Sequence, residues 1–308
     1  MRVGVVDVGS NSTRLLVADV AQGRIRELDR RSEVTRLGQD VDRTGALAVE
    51  ARERVFAVLD GYRAALEGCE AMTAVLTSAV RDASNGADFA DEVRRRYGLD
   101  ARTLDGDTEA RLTFLGATAE RAAGDGPPTV VIDVGGGSTE YVVGEGGAMT
   151  FHVSTQAGVV RQTERHLHSD PPRHEQMEAL ADDVRAVVRA AVPEAVRAGV
   201  AHAIGVAGTA TSCAAIDLAL EPYDPARVQG HVVQDGELEL MLARLAEMPL
   251  AQRRTVPGLH PDRAPTIVAG IVILLEALRA FSLTEFEASE HDILWGAALT
   301  LAADAGAV

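Results

Sequence analysis

The sequence predicts a mixed α/β fold made of two similar halves. Short apolar stretches alternate with amphipathic ones along the whole chain, as is typical of strands that alternate with helices. In addition, one motif occurs twice: residues 3–13 read VGVVDVGSNST, and residues 130–139 read VVIDVGGGST. Each copy is an apolar, β-branched run that ends in an aspartate, a glycine-containing turn and Ser-Thr. Two halves that open in the same way predict duplicated domains that face each other across a cleft.

The spacing of the two copies is constant. Asp7 aligns with Asp133 at a separation of 133 − 7 = 126 residues, and Ser12 and Thr13 align with Ser138 and Thr139. Glycine lets backbone N–H groups approach a ligand closely, and the aspartate stands at the carboxyl end of a strand, where α/β sheets bind ligands. Converging amides suit phosphate oxygens. A single such turn also fits an ordinary hairpin, but the pair predicts a phosphate-binding turn in each half.

In the first half, apolar periodicity, caps and breaks define the elements. The predicted strands are residues 3–8, 14–20, 24–29, 72–78 and 102–104, and the predicted helices are residues 46–66, 89–97 and 105–123. The last helix is capped by Asp105 or Asp107. Residues 124–128 (GDGPP) are the clearest break, so we place one domain at residues 1–126 and a second at residues 127–308. We also expect that the final helix can pack back on the first domain.

The second half continues the alternation. After the strand at residues 130–134 we expect a hairpin turned at 144–147, a polar loop at 166–173 and a helix at 175–197. A strand and glycine turn at 204–211 then lead into a helix, and the next helix runs to residue 248 with Asp235 as its cap. After it we expect a buried helix at 264–280 with Pro265 in its first turn, a strand at 286–289 and a last helix at 292–303 with Asp292 as its cap.

Composition excludes several classes of function. The formal net charge of −16 argues against a nucleic-acid-binding surface. The sequence contains no lysine, which excludes P-loop and Schiff-base chemistry, so phosphate contacts must come from arginines, hydroxyls, amides or a metal. The two cysteines, Cys69 and Cys213, lack metal-ligand spacing, and neither a secretory signal nor a membrane span is recognisable. We therefore expect a reduced, cytoplasmic protein with no membrane partner.

Two charged residues follow predicted strands and are candidates for chemistry. Glu109 lies at the start of the helix that follows the Asp105–Asp107 loop, where spacing alone favours a role in complementing the helix dipole. Arg81 follows the strand at 72–78 and either faces a cleft or lies on the surface.

Seven segments in order resemble the exopolyphosphatase / guanosine pentaphosphate phosphohydrolase (Ppx/GppA) family, in its short two-domain form. They are residues 7–15 (DVGSNSTRL), 77–85 (TSAVRDASN), 107–112 (DTEARL), 133–140 (DVGGGSTE), 158–165 (GVVRQTER), 206–212 (VAGTATS) and 262–270 (DRAPTIVAG). The resemblance spans nearly the whole chain. It implies two actin-like (ribonuclease H-like) ATPase-superfamily domains, in agreement with the internal repeat.

The resemblance also implies roles for individual residues. Glu109 would be the general base that activates water, and Arg81 would neutralise charge on the transferred phosphoryl group. Asp7 and Asp133 would anchor Mg²⁺, with Mn²⁺ as the alternative metal. The phosphate-binding residues would be Gly9, Ser10, Asn11, Ser12, Thr13, Gly135, Gly136, Gly137, Ser138 and Thr139. Weaker substrate contacts would be Arg14, Arg161 and Arg263, together with Gly208 and Thr209, which have either a nucleotide-type or a purely structural role.

The expected activity is removal of terminal phosphate from inorganic polyphosphate. Short chains are the expected substrates, because longer family members carry a further helical domain at the carboxyl end. Hydrolysis of guanosine pentaphosphate (pppGpp) is the alternative, since it presents a terminal phosphoanhydride to the same turns. Two further hypotheses are a small-molecule kinase of the same superfamily and a non-catalytic polyphosphate or alarmone sensor. A homodimer is expected from the family alone.

Overall fold

The chain forms two units, each built around one β-sheet. The structure, a computed structural model, describes residues 1–121 and 126–306. Unit 1 comprises Met1–Glu120 and Asp292–Val308, and unit 2 comprises Arg121–His291. Of the predicted break at residues 124–128, positions 124 and 125 lie outside the described residues.

Unit 1 has a five-stranded sheet with helices on both faces. Its elements are β1 (Arg2–Val8), β2 (Ser12–Ala21), β3 (Arg24–Val34), α1 (Val41–Thr44), α2 (Val49–Leu66), β4 (Ala71–Leu76), α3 (Ser78–Asp82), α4 (Gly86–Tyr97), β5 (Asp100–Thr103), α5 (Gly106–Thr118) and, from the end of the chain, α14 (Ile293–Asp304). The strand order is β3-β2-β1-β4-β5; β1 pairs antiparallel with β2 and parallel with β4.

Alternation along β1 divides its side chains between two cores, as the period of a strand requires. Val6 and Val8 pack with α2 and α4, whereas Val3 and Val5 pack with α14. The last helix therefore belongs to the first sheet, on the face opposite α2.

Unit 2 repeats this topology and extends it by one strand. Its elements are β6 (Thr129–Val134), β7 (Thr139–Glu145), β8 (Ala148–Thr155), α6 (Val159–His166), α7 (His174–Ala191), α8 (Glu194–Ala198), β9 (His202–Val206), α9 (Ala207–Asp217), α10 (Pro225–Val228), β10 (Val232–Gln234), α11 (Asp235–Ala246), α12 (Leu250–Arg253), α13 (Ile267–Ala280) and β11 (Glu285–Ala288). The order β8-β7-β6-β9-β11 matches β3-β2-β1-β4-β5 of unit 1, with β10 added at the edge.

The pairing register confirms the internal repeat. Asp7 is opposite Arg14 in the β1–β2 hairpin, and Asp133 is opposite Glu140 in the β6–β7 hairpin. Both pairs keep the spacing of 126 residues found in the sequence (133 − 7 and 140 − 14). The mixed α/β prediction is therefore confirmed, down to the register of the two hairpins.

Several predicted boundaries are wrong, for local reasons. The helix expected at residues 175–197 is broken into α7 and α8, because Pro193 lacks an amide hydrogen and becomes the cap of α8. Asp235 is the first residue of α11 rather than its cap, a position held by Gln234. Pro265 lies before α13, which begins at Ile267. Helix α6 was not predicted at all.

Other expectations hold. The Asp105 side chain caps α5 by accepting a hydrogen bond from the amide of Thr108, and Asp292 caps α14 through the amide of Leu294. None of the helices within residues 1–121 and 126–306 has the length and apolar character that a membrane-spanning segment requires.

Candidate functional site

In the turn between β1 and β2, the carbonyl groups of residues 10, 11 and 12 accept hydrogen bonds from backbone amides. The amide of Gly9 donates to the carbonyl of Ser12 at 2.9 Å and closes the turn. The Ser10 carbonyl accepts a hydrogen bond from the amide of Gly38 at 2.8 Å. The Asn11 carbonyl accepts hydrogen bonds from the amides of residues 35 and 36 at 3.0 and 2.8 Å. Because N–H and C=O of a trans peptide unit point in opposite directions, the amides of Asn11 and Ser12 face away from segment 35–38. Such outward amides are suited to an anion.

The turn of unit 2 has the same design. The amide of Gly135 donates to the carbonyl of Ser138 at 2.9 Å, the distance found for its counterpart in unit 1. The carbonyls of residues 135, 136 and 137 accept hydrogen bonds from the amides of Val159 (2.9 Å), Val160 (2.9 Å) and Gly158 (3.2 Å) at the start of α6. The amides of residues 136, 137 and 138 consequently face away from α6 and donate to no group in the described part of the chain.

Gly158 is required for this arrangement. A Cβ atom at Gly158 would lie 2.4 Å from the carbonyl carbon of Gly137 and from the amide nitrogen of Ser138. The start of α6 is therefore in backbone contact with the turn, and only glycine fits there. Arg161, one of the predicted weaker contacts, adds a hydrogen bond from its Nε to the Gly137 carbonyl at 3.0 Å.

The hydroxyls of the two turns serve different purposes. Thr13 and Thr139 are fully buried; Thr13 shares a hydrogen bond with the Thr35 hydroxyl, and Thr139 donates to the carbonyl of Ala157. Their hydroxyls anchor each hairpin to the chain after its third strand, which is a structural role. Ser10 is partly exposed, and its Oγ lies 3.0 Å from that of Ser78 at the start of α3.

Asp7 is buried at the end of β1 and is paired with Arg14. The guanidinium donates to Asp7 Oδ2 twice, from Nε at 2.9 Å and from Nη2 at 2.6 Å, and its Nη1 also donates to Asp292. Burial raises the pKa of the Asp7 carboxyl, while Arg14 acts in the opposite direction. Burial also acts to raise the pKa of Asp292, but the charges of Arg14 and Arg30, together with the hydrogen bonds that Asp292 accepts from Leu294 and Arg14, hold that pKa below its ordinary value.

The acidic residues are consistent with a metal held by few carboxylates. Asp7 Oδ1 is buried and has no hydrogen-bond partner among the described residues, which leaves it available for a cation or a metal-bound water. Asp133 and Glu140 are directly opposed across β6 and β7, so their side chains project from the same face. Within the described residues, no group of three or more His, Cys, Asp or Glu side chains could hold an ion. Mg²⁺ fits the carboxylates of either unit taken by themselves, because it commonly keeps several waters and takes one or two carboxylates together with substrate phosphates.

Glu140 is a further candidate that the sequence analysis did not name. The signal that points to it is the internal repeat combined with the hairpin register: Glu140 takes the position that Arg14 holds in unit 1. The duplicated hairpins have thus diverged: the hairpin of unit 2 presents two carboxylates, Asp133 and Glu140, whereas the hairpin of unit 1 presents the Asp7–Arg14 ion pair.

The two candidates for catalysis lie side by side in unit 1. Arg81 Nη1 donates to Glu109 Oε2 at 3.0 Å and also to the carbonyl of Leu104 at 3.0 Å. Arg81 is on α3 and Glu109 is in the first turn of α5; their side chains are 32% and 20% exposed. A carboxylate that is partly exposed and held in position by a cation can accept a proton from water.

The remaining candidates form a second group in unit 2. A Cβ at Gly208 would lie 0.9 Å from Arg263 Nη1, so the Arg263 guanidinium rests directly on Gly208 in the first turn of α9. Thr209 is buried; its hydroxyl donates to the Val134 carbonyl at 3.4 Å, and its methyl group packs against Gly270. Thr209 therefore has a structural role, and Gly208 provides room for Arg263.

Comparison with known proteins gives consistent matches. A sequence profile described as the Ppx/GppA phosphatase family matches residues 16–297. The chain is 37% identical over 316 aligned positions to Exopolyphosphatase 2 of Mycobacterium tuberculosis, with 98% of each chain covered. It is 31% identical over 292 positions to Exopolyphosphatase 1 of the same organism, covering 93% of this chain and 84% of the relative.

Solved structures show the same relationship. A Ppx/GppA family member from Aquifex aeolicus superposes with a TM-score of 0.86 at 30% identity, covering 99% of this chain and 98% of that chain. This similarity confirms the prediction of two actin-like domains.

Proposed function

The chain belongs to the Ppx/GppA phosphatase family, and on this basis we propose that it is an exopolyphosphatase. Its substrate is inorganic polyphosphate, and the bond that it hydrolyses is the terminal phosphoanhydride. The observation that carries this proposal is the pair of turns with outward amides, one per unit, combined with a base candidate on α5. Relatives at 37% and 31% identity bear the name exopolyphosphatase.

The reaction needs a base and a means to neutralise charge. In the proposed step, the oxygen of a water molecule attacks the terminal phosphorus, and the bond from that phosphorus to the bridging oxygen breaks. Glu109 takes the proton of the water, a contribution that is typically worth about 10²–10⁴-fold in rate. Arg81, 3.0 Å from Glu109, stabilises negative charge on the transferred phosphoryl oxygens.

Backbone amides and two arginines are the groups that we propose bind the phosphate chain. The amides of Asn11 and Ser12 in unit 1 and those of residues 136–138 in unit 2 donate to phosphate oxygens. Arg161, held against the Gly137 carbonyl, and Arg263, held against Gly208, are proposed contacts for phosphates further along the chain.

A divalent metal completes the proposal. Asp7 and Asp133, joined by Glu140, would hold Mg²⁺ directly or through water, with Mn²⁺ as the alternative. When bound, the ion neutralises charge on the phosphate oxygens.

Hydrolysis of pppGpp is the second candidate, because the description of the matched family, Ppx/GppA, joins the exopolyphosphatases with the guanosine pentaphosphate phosphohydrolases. The test is phosphate release by the purified chain in the presence of Mg²⁺, with short-chain polyphosphate, long-chain polyphosphate and pppGpp in parallel. We expect the highest kcat/KM with short polyphosphate. A higher value with pppGpp would assign the chain to the alarmone branch, and binding without any release would indicate a sensor.

A further inference from the structure

Asp292 is a buried carboxylate with two partners in unit 1. Its exposed fraction is 1%, and it immediately precedes α14. One oxygen, Oδ1, accepts a hydrogen bond from the amide of Leu294 at 3.0 Å and caps the helix. The other, Oδ2, accepts a hydrogen bond from Nη1 of Arg14, which lies 278 residues earlier in the chain. A helix cap needs only the first of these contacts, so the second calls for its own explanation.

Arg14 transmits the position of Asp292 to Asp7. With Nη1 bound by Asp292, its Nε and Nη2 both donate to one oxygen of Asp7, Oδ2. The other oxygen of Asp7, Oδ1, is buried and has no partner among the described residues. Two donors fixed on one side of a carboxylate determine its orientation, so the direction of Oδ1 depends on where Asp292 holds the guanidinium.

The backbone at Asp292 also contacts the helix that carries Glu109. A Cβ at Gly116 of α5 would lie 1.9 Å from the carbonyl oxygen of Asp292, and a Cβ at Gly296 of α14 would lie 1.9 Å from the carbonyl oxygen of Leu112. The two helices are therefore in direct backbone contact. Asp292 touches both the Asp7–Arg14 pair and the helix whose first turn contains Glu109.

We propose that Asp292 is a positioning residue for the phosphohydrolase reaction. It holds Arg14 so that Arg14 occupies Oδ2 of Asp7 and leaves Oδ1 to the metal ion or to its bound water, and it fixes this pair relative to α5. The inference rests on the proposed function, because Asp7 is a metal anchor only in that proposal.

The test compares two aspartate caps. Asp292→Asn keeps a side chain that caps helices as well as aspartate does, but it removes the charge that holds Arg14. Asp224→Asn is the matched control, because Asp224 caps α10 through the amide of Ala226 at 3.0 Å in unit 2. Thermal unfolding verifies that each variant is folded; if Asp292→Asn is not, Asp292→Ser retains a hydroxyl cap and replaces it.

The main readout is the binding of Mn²⁺, followed by the electron paramagnetic resonance signal of the free ion, which needs no turnover. We expect Asp292→Asn to weaken Mn²⁺ binding by about 10-fold, as is usual when a residue supporting a metal ligand is lost, with no change for Asp224→Asn. The same measurement in an Arg14→Gln background should show an additional effect below about twofold, because residues that act through one another are not additive.

Two results would overturn the inference: unchanged Mn²⁺ binding in folded Asp292→Asn, or an equal loss with and without Arg14. Failure of the proposed function has a different signature. If the wild-type chain releases no phosphate from any substrate while Mn²⁺ binding still depends on Asp292, the activity is refuted, and only the part of the inference that concerns metal binding at Asp7 stands.

Discussion

Replacement of Glu109 by glutamine separates an effect on catalysis from an effect on folding. Glutamine keeps the size of the side chain and can still accept a hydrogen bond from Arg81, but it cannot take a proton from water. Loss of a general base typically lowers the rate by about 10²–10⁴-fold. At 1.36 kcal/mol per factor of ten, this corresponds to about 2.7–5.4 kcal/mol in the activation barrier.

The structural cost of the same change is smaller. Glu109 lies in the first turn of α5, where a negative charge is worth about 0.3–1 kcal/mol through the helix dipole. Its ion pair with Arg81 is partly exposed to solvent, and pairs of this kind contribute about 0.2–1 kcal/mol. The expected loss in free energy of unfolding is therefore below about 2 kcal/mol, and the enzyme should remain folded at assay temperature.

The assay is steady-state phosphate release from short-chain polyphosphate, with urea unfolding of the same preparations. Asp107→Asn is the matched control, because it removes the same charge from the same helical turn at an exposed position. We expect kcat to fall at least about 100-fold in Glu109→Gln and to change less than about threefold in Asp107→Asn. Equal losses in the two variants would refute the role of Glu109 as the base.

The other predictions concern the backbone and the response to pH. Gly158→Ala should destabilise the chain by about 1–3 kcal/mol, because its Cβ meets the glycine-rich turn at 2.4 Å, and it should raise KM. Gly61→Ala, within α2 and with nothing near its Cβ, should instead stabilise the chain by about 1 kcal/mol; a destabilised Gly61→Ala or an unaffected Gly158→Ala in urea unfolding would contradict this packing. Hydrogen bonds from Arg2 and Arg26 lower the pKa of Asp19 from 3.8 to about 2. A lowered folded-state pKa gives stability that is present above pH 3.8 and lost as the pH falls through 2, so the unfolding free energies of wild type and Asp19→Asn should converge over that interval. A difference that widens on acidification would show that this ion pair has been misassigned.

The duplicated hairpins could be predicted from sequence because their signals are local. A β-branched run, an aspartate and a glycine turn identify each hairpin, and the constant spacing of 126 residues is enough to relate the two copies. Helix α6 has no comparable local signal. Its first amides bind the carbonyls of the turn more than twenty residues earlier, so Gly158 replaces the polar side chain that usually marks the start of a helix.

The candidate site residues could be named from the sequence, but the contacts among them could not. Glu109 and Arg81 are 28 residues apart, and only the fold brings them to 3.0 Å. The bond between Arg14 and Asp292 spans 278 residues and depends on the return of the last helix to the first sheet. The second carboxylate that Arg14 binds beside Asp7 is therefore set by tertiary packing, which no local sequence pattern specifies.

The most direct test of the central claim is ³¹P nuclear magnetic resonance of a defined polyphosphate chain during incubation with the protein and Mg²⁺. Hydrolysis from the end predicts that orthophosphate appears from the first time point while the remaining polymer shortens gradually, and that Glu109→Gln abolishes both changes. Release of intermediate-length fragments before orthophosphate would contradict terminal hydrolysis. An unchanged spectrum for the folded wild-type protein would contradict the proposed activity on polyphosphate altogether.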